Sequence, residues 1–254
     1  MPVVVILNMA RSRREIMSNV GSFTPPENHL LAVLPAEVYE RLAPHLELVS
    51  LTNYQSIYDF DEPISSVYFP HDSLISLVTS MEDGSTIEVS LVGRQGMAGI
   101  LAILGGKTKS HRAYVQIPGQ AMRTSAATLK AEFDRGGPLQ TTLLRYCQAL
   151  FSQAAQSIAC NRFHSTEQRL ARWLLLVRDC VQSDTFLLTQ EFIGEMLGVP
   201  RSSVTVAAGN LSQPGIIRYT RGQVTILDGK ALENCSCECY GAIRSEFTQL
   251  LGPL

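Results

Sequence analysis

The chain has 254 residues, 45% of them apolar and 17% charged, which is the balance of one or two packed globular domains and not of a disordered tail. Lys and Arg number 21 against 23 Asp and Glu, a net charge of −2; this excludes the basic surface of a nucleic-acid coat and leaves any anion site to a local patch. The longest apolar stretch, residues 97–104, falls far short of the roughly 20 residues of a membrane-spanning helix, so no membrane partner is expected. The apolar opening, residues 2–7, precedes the basic cluster Arg11, Arg13 and Arg14, the reverse of a secretory signal. All six cysteines lie in the second half, without the look of an extracellular disulfide framework. A cytoplasmic protein with reduced thiols is expected.

Residues 1–28 carry no sustained period and end in Thr24-Pro25-Pro26-Glu27-Asn28, predicting a loosely ordered arm. Leu30, Leu31, Leu34, Val38, Leu42 and Leu46 then fall at helical spacing, with Pro35 opening a second short helix. From 48 to about 122 the pattern becomes short β-prone runs (65–69, 74–81, 86–92, 113–117). Glu82-Asp83-Gly84-Ser85 reads as a hairpin turn. In the run after it, Ile87, Val89 and Leu91 alternate with Thr86, Glu88 and Ser90, predicting one buried and one wet face. Such a succession of strands points to a β-roll or jelly roll.

Beyond Gly136-Gly137-Pro138, the residues Leu139, Leu143, Tyr146, Leu150, Ala154 and Ser157 recur near three-and-four spacing, a long helix with an apolar stripe. Periodicity leaves two partners open, the helix's own domain or the same helix of a second copy; a homodimer through residues 139–159 is expected. Ser165-Thr166-Glu167-Gln168 is a capping box, starting a helix to about residue 180 that buries Leu170, Trp173, Leu174 and Val177 and leaves Arg169, Arg172 and Arg178 to solvent or an anion. The expected units are an arm (1–28), a β-roll (29–137), a dimerisation helix (138–164) and a C-terminal domain (165–254), an α+β fold.

The chemistry concentrates in 188–228. Thr189 caps a short helix at 190–197, Gly198 breaks it, and Pro200 opens a second helix whose Val204, Ala207, Ala208 and Leu211 form one apolar face. Two short helices joined at a glycine are the helix-turn-helix pattern. The other face of the second helix, Arg201, Ser202, Thr205 and Gly209 with Asn210 at its border, is small and polar with one long cation, which suits a major groove. After Pro214-Gly215 the runs 216–219 and 223–227 flank Thr220-Arg221-Gly222 as a hairpin with an arginine at its tip, a wing. Between 196 and 227 stand three cations (Arg201, Arg218, Arg221) and no carboxylate. Arg201, Ser202 and Thr205 are the expected base contacts. Thr189, Ser203, Arg218 and Arg221 are the expected phosphate contacts.

At this point the chain resembles a known family. Leu188-Thr189-Gln190-Glu191-Phe192-Ile193-Gly194-Glu195-Met196-Leu197-Gly198, Arg201-Ser202-Ser203-Val204-Thr205-Val206-Ala207-Ala208-Gly209 and Cys237-Glu238-Cys239-Tyr240 resemble the C-terminal half of Crp/Fnr-type bacterial transcription regulators. Val67-Tyr68-Phe69-Pro70, Val92-Gly93-Arg94-Gln95-Gly96-Met97 and Ser165-Thr166-Glu167-Gln168-Arg169-Leu170-Ala171-Arg172-Trp173 resemble a branch whose sensory domain is similar to a cyclic-nucleotide-binding β-roll. The resemblance covers about residues 29–245. It implies a homodimer on a palindromic double-stranded operator, a winged helix-turn-helix and RNA polymerase as a partner. The effector it implies is unidentified. Cyclic-nucleotide members carry a Gly-Glu pair for the ribose, whereas Met97 follows Gly96 here, and Ala154 and Ala155 stand where hydroxyls are expected to reach the base. Gly96, Met97 and Arg112, with His111 competing for the phosphate role, mark the expected effector pocket, and no cyclic nucleotide is expected to bind it.

Other chemistries are expected to be absent. Cys235, Cys237 and Cys239, read on one helix, point two to one face and one away, so no metal site and no cofactor is expected and the thiols are read as packing. The histidines (29, 45, 71, 111, 164) lack metal-ligand spacing, which argues against a cupin-like jelly-roll metalloenzyme. Adjacent His71-Asp72-Ser73 cannot form a triad. No catalytic residue is expected. A ligand-independent DNA- or protein-binding module of the same fold is the other alternative.

Overall fold

The computed structural model describes residues 26–105 and 111–253; apart from residues 26–28, the expected arm with Arg11, Arg13 and Arg14 lies outside them. Asn28, the last residue of that arm, is fully buried and caps α1 (His29–Ala32). Its carboxamide oxygen accepts from the amides of Leu30 and Leu31, and its nitrogen donates to the carbonyls of Pro70 and Gly96, both at 2.9 Å. A buried amide is stable only when so fully satisfied.

After α2 (Ala36–Leu42) come β1 (Glu47–Leu51), β2 (Ser56–Tyr58), β3 (Ser66–Pro70), β4 (Leu74–Ser80), β5 (Thr86–Val92), the one-turn α3 (Ile100–Ile103), β6 (His111–Ile117) and β7 (Gly119–Ser125). They form two antiparallel sheets, β1-β7-β3 and β2-β6-β4-β5. Leu51, Tyr68 and Ala121 from the first meet Tyr58, Ile75, Val92 and Val115 from the second in one buried cluster, the expected rolled sheet. The 82–85 turn closes through the Met81 amide on the Ser85 carbonyl, 2.8 Å, with Gly84 at φ +84°.

The chain continues through α4 (Ala126–Asp134), α5 (Pro138–Phe163), α6 (Thr166–Val181), β8 (Thr185–Leu187), α7 (Gln190–Leu197), α8 (Arg201–Ser212), β9 (Ile217–Thr220), β10 (Gln223–Ile226), α9 (Gly229–Cys235) and α10 (Cys239–Leu251). The Ser165–Gln168 capping box forms as expected. No helix among the described residues is long and apolar enough to cross a membrane.

Four expectations are corrected. The β5 face read as wet is covered: Ser90 is buried and donates to Gln153 on α5, while the Glu88 carboxyl accepts from Trp173 Nε1 on α6 and lies against the Ser76 hydroxyl, both 2.8 Å. The α5 stripe proposed as a dimer seam turns inward, because Leu139, Leu143 and Tyr146 pack into the chain's own core. Leu144, Phe151, Ile158 and, at its C-terminus, Phe163 are the large apolar residues α5 leaves exposed instead. Arg169 and Arg172 are buried, not solvent-facing, since α6 is covered on nearly every side. Arg169 donates to the Leu197 carbonyl at the C-terminus of α7, a helix end that needs such a donor. Finally, 235–239 is not one helix: α9 ends at Cys235 and an extended Ser236 separates it from α10. Cys237 and Cys239 therefore share a side after all, beside Cys160 and His164.

Between β5 and the α5–α6 pair, Glu88, Ser90, Gln153, Arg172 and Trp173 leave a void of only about 10 Å³, less than a bound small molecule needs and barely the space of one water. Burial pushes the Glu88 carboxyl up to about 7, against the opposing effects of its bonds from Trp173 and Ser76 and of the Arg172 charge. The Ser76 hydroxyl, also 2.5 Å from Gln116 Oε1, has one proton to give, so a protonated Glu88 completes the chain by donating to Ser76. A carboxyl whose folded pKa is raised stabilises fully below its unfolded value and loses that contribution as pH rises through about 7. Denaturant unfolding from pH 4.5 to 8 should show wild type losing about 3 kcal/mol relative to Glu88→Gln; a difference independent of pH contradicts the assignment.

Candidate nucleic-acid interface

Thr189 caps α7 by accepting from the Phe192 amide at 3.2 Å, with Glu191 in the first turn. The helix ends at Gly198 in the left-handed region, φ +61°. Gly194 is required by proximity: a Cβ there would stand 2.8 Å from the Val199 carbonyl oxygen. The turn closes through the Val199 amide on the Gly194 carbonyl, 2.9 Å. Pro200 sits one position before the helix, as the N-cap residue of α8. Val204, Ala207, Ala208 and Leu211 are buried, so the opposite face of α8 is fixed outward.

That face carries Arg201, Ser202, Thr205, Val206 and Gly209, all exposed, with Ser203 half-buried at its edge. The Thr205 hydroxyl lies 2.7 Å from Gln190 Oε1 and 3.1 Å from the Arg201 carbonyl. Sequence reading passed over Val206 and Gln190. Val206 lies on the polar arc, 64% exposed, and gives that arc one apolar contact point. Asn210 donates to Glu167 at 2.7 Å and so borders the face as a strut between α8 and α6.

The wing is present. β9 and β10 pair with Thr220 opposite Gln223, leaving the two-residue turn Arg221-Gly222 with φ +52° and +78°, the geometry that matches strand twist in a tight hairpin. β8, too short to stand out in sequence, adds a third strand in the order β8-β10-β9. The Tyr219 hydroxyl donates to the Leu188 carbonyl at 2.6 Å and anchors the wing beside α7. An open cleft of about 470 Å³ brings Arg201, Arg221 and Thr189 together, with Gln190, Tyr219 and Gly222 around them and Glu191 as the one carboxylate. Arg218 is exposed on β9 outside this cleft.

The four expected effector residues do not converge. A Cβ on Gly96 would stand 2.5 Å from the Tyr146 hydroxyl, and fully buried Met97 gives its carbonyl to that hydroxyl at 2.9 Å. A Cβ on Gly93 would overlap Cys180 at the end of α6. The glycines of Val92-Gly93-Arg94-Gln95-Gly96-Met97 thus admit the close approach of α5 and α6. His111 lies beside Thr79 on β4. Arg112 stands over the Phe60 and Tyr114 rings, 5.8 Å from each centroid, and lines a groove of about 810 Å³ between the 81–87 hairpin and the α7–α8 turn. Asp72 and Ser73 spend their side chains on the Gln120 backbone.

Residues 168–235 match the model of the Crp-like helix-turn-helix domain. Among solved structures, FixK2 from Bradyrhizobium japonicum is similar with a TM-score of 0.64 at 17% identity, over 76% of this chain and 98% of that one. A CRP-family transcriptional regulator from Thermus thermophilus gives 0.60 at 21% identity, over 73% and 95%. A second regulator from the same organism, of the CRP/FNR family, gives 0.59 at 19% identity, over 75% and 98%. No protein of curated function matches the chain in sequence. Residues 168–235 are therefore a Crp-like helix-turn-helix domain, carried in a chain with the fold of Crp/Fnr-type transcription regulators.

Proposed function

We propose that the chain is a homodimeric, sequence-specific DNA-binding transcription regulator whose β-roll interior is filled by its own side chains. The observation that carries this reading is the outward face of α8, Arg201, Ser202 and Thr205, set beside a cleft that joins Arg201 to Arg221 and Thr189. In the major groove, Arg201 addresses a guanine edge, Ser202 and Thr205 reach neighbouring bases, and Val206 is placed to meet a thymine methyl. Thr189, Ser203, Arg218 and Arg221 hold phosphates. A filled interior favours operation without a cyclic nucleotide there. The same filling, with scattered histidines, disfavours a cupin-like metalloenzyme. In this reading 29–137 is the sensory unit, 138–164 the dimerisation helix and 165–254 the DNA-binding unit, acting on a palindromic operator with RNA polymerase as the partner of the bound dimer.

The dimer is supported by α5. Leu144, Phe151 and Ile158 recur every seven residues and are exposed, and Gln148, Ala155 and Arg162, each four residues further on, are exposed too, the a/d spacing of a two-stranded coiled coil. Two-fold symmetry then sets the paired α8 helices about 34 Å apart on successive grooves. Phe151→Glu with Ile158→Glu should convert a sedimenting dimer to a folded monomer; a wild-type monomer at micromolar concentration, or a dimer indifferent to both charges, removes the seam.

The reading of DNA is tested with an operator selected from genomic fragments and a scrambled duplex across a salt series. Arg201→Ala should lose about 1–3 kcal/mol of discrimination. Arg218→Ala and Arg221→Ala should weaken both duplexes alike and lower the salt slope by about one each. Equal weakening of both duplexes by Arg201→Ala, with discrimination abolished by Arg221→Ala, would reverse the roles of helix and wing.

A further inference from the structure

We propose that Cys160, His164, Cys237 and Cys239 form a tetrahedral zinc site that staples the C-terminal helix to the junction between α5 and α6. Their Sγ and ring-nitrogen atoms all lie within 4.8 Å of one another. Cys160 Sγ is 3.5 Å from Cys237 Sγ, and Cys239 Sγ is 3.5 Å from His164 Nδ1. With bonds of about 2.3 Å to sulfur and about 2.0 Å to nitrogen, the edges of a tetrahedron around zinc measure about 3.5–3.8 Å. The donors are thus spaced for a metal to enter with small side-chain movement.

Each donor is placed by a local feature. Cys160 and His164 are one helical turn apart at the end of α5, a spacing that sets two ligands on one face. Extended Ser236 separates α9 from α10, and Cys237 and Cys239 flank the first turn of α10 across the Tyr240 amide to Cys237 carbonyl bond, 3.2 Å. The three cysteines are buried, and four protein donors leave no open position, so the site is structural rather than catalytic. Cys235, in the same Cys-rich run, lies outside the cluster.

Hydrogen bonding around the cluster and buried charge beside it point the same way. The His164 ring offers Nδ1 to the cluster while its Nε2 is 3.2 Å from the Glu238 carboxylate, the outer partner that orients metal-bound histidines. The Gln156 amide donates to Cys239 Sγ at 3.1 Å, as it would to a thiolate. Charge supplies the second observation. Arg169 and Arg172 are 7% and 5% exposed, form no ion pair among the described residues, and each leaves its Nε without a hydrogen-bond partner there. Arg172 lies within electrostatic range of Cys160, and Arg169 of Cys160 and Cys237. Zn²⁺ bound to three thiolates and a neutral imidazole releases three thiol protons and leaves a centre of charge −1, a counter-charge for Arg169, on which no carboxylate acts, and one that Arg172 shares with Glu88.

The test is the metal content of the full-length reduced protein, followed by cobalt substitution. Expected are one zinc per chain by native mass spectrometry and elemental analysis, and a tetrahedral cobalt-thiolate spectrum on exchange. Cys160→Ser and Cys237→Ser should lose the metal and Cys235→Ser should keep it. His164→Cys, which retains four donors, should keep it with a stronger sulfur-to-cobalt band, so the proposal stays decidable if a serine variant fails to fold. A reduced chain that takes up neither zinc nor cobalt overturns the site, as do iron with sulfide in its place, a Cys160–Cys237 disulfide in metal-free protein, or metal retained by Cys237→Ser.

Discussion

The burial of α6 is the constraint on which the rest of the molecule depends. From Arg169 to Val177 every residue of this helix is buried, because it packs on β4 and β5 on one side and on α8 and α9 on the other. Its Trp173 bonds to Glu88 inside the β-roll, and its Arg169 holds the end of α7. A helix gripped by both units cannot shift against one without disturbing the other, since close-packed interiors transmit displacement instead of absorbing it. The orientation of Arg201, Ser202 and Thr205 is thereby set from the sheet.

The two ends of α6 show how this grip is built. At the C-terminal end, glycine at 93 lets Cys180 sit directly against the turn after β5, where the Arg94 amide donates to the Cys180 carbonyl at 3.3 Å. At the N-terminal end, the Ser165 cap follows at once on His164, the imidazole of the thiol and imidazole cluster. A motif that in sequence resembles a ligand cassette is here the seat of a helix. Its glycines answer to packing.

Local signals were legible in the sequence and contacts between distant segments were not. The capping box at Ser165, the Thr189 cap, the glycine break at 198 and the Arg221-Gly222 turn depend on a few neighbouring residues, and each formed where the pattern placed it. The failures share one cause. Whether Glu88 faces water depends on where Trp173, 85 residues away, comes to lie. Which stripe of α5 is buried was undetermined because two apolar stripes exist on it, and only the packing of α10 and β5 on the helix separates them. Cys237 and Cys239 meet Cys160 only because the chain breaks at Ser236, a residue without a strong turn signature. For the interface itself, the polar arc of α8 was legible from periodicity, while Gln190 beneath Thr205 required the angle between α7 and α8.

The central claim is that two copies of α8 read one operator side by side. Hydroxyl-radical footprinting on a selected operator tests this most directly. The account predicts two protected segments related by a dyad and centred about one helical turn, roughly 10 base pairs, apart on the same face of the duplex. A single protected segment without dyad symmetry, at protein concentrations that saturate the site, would contradict it.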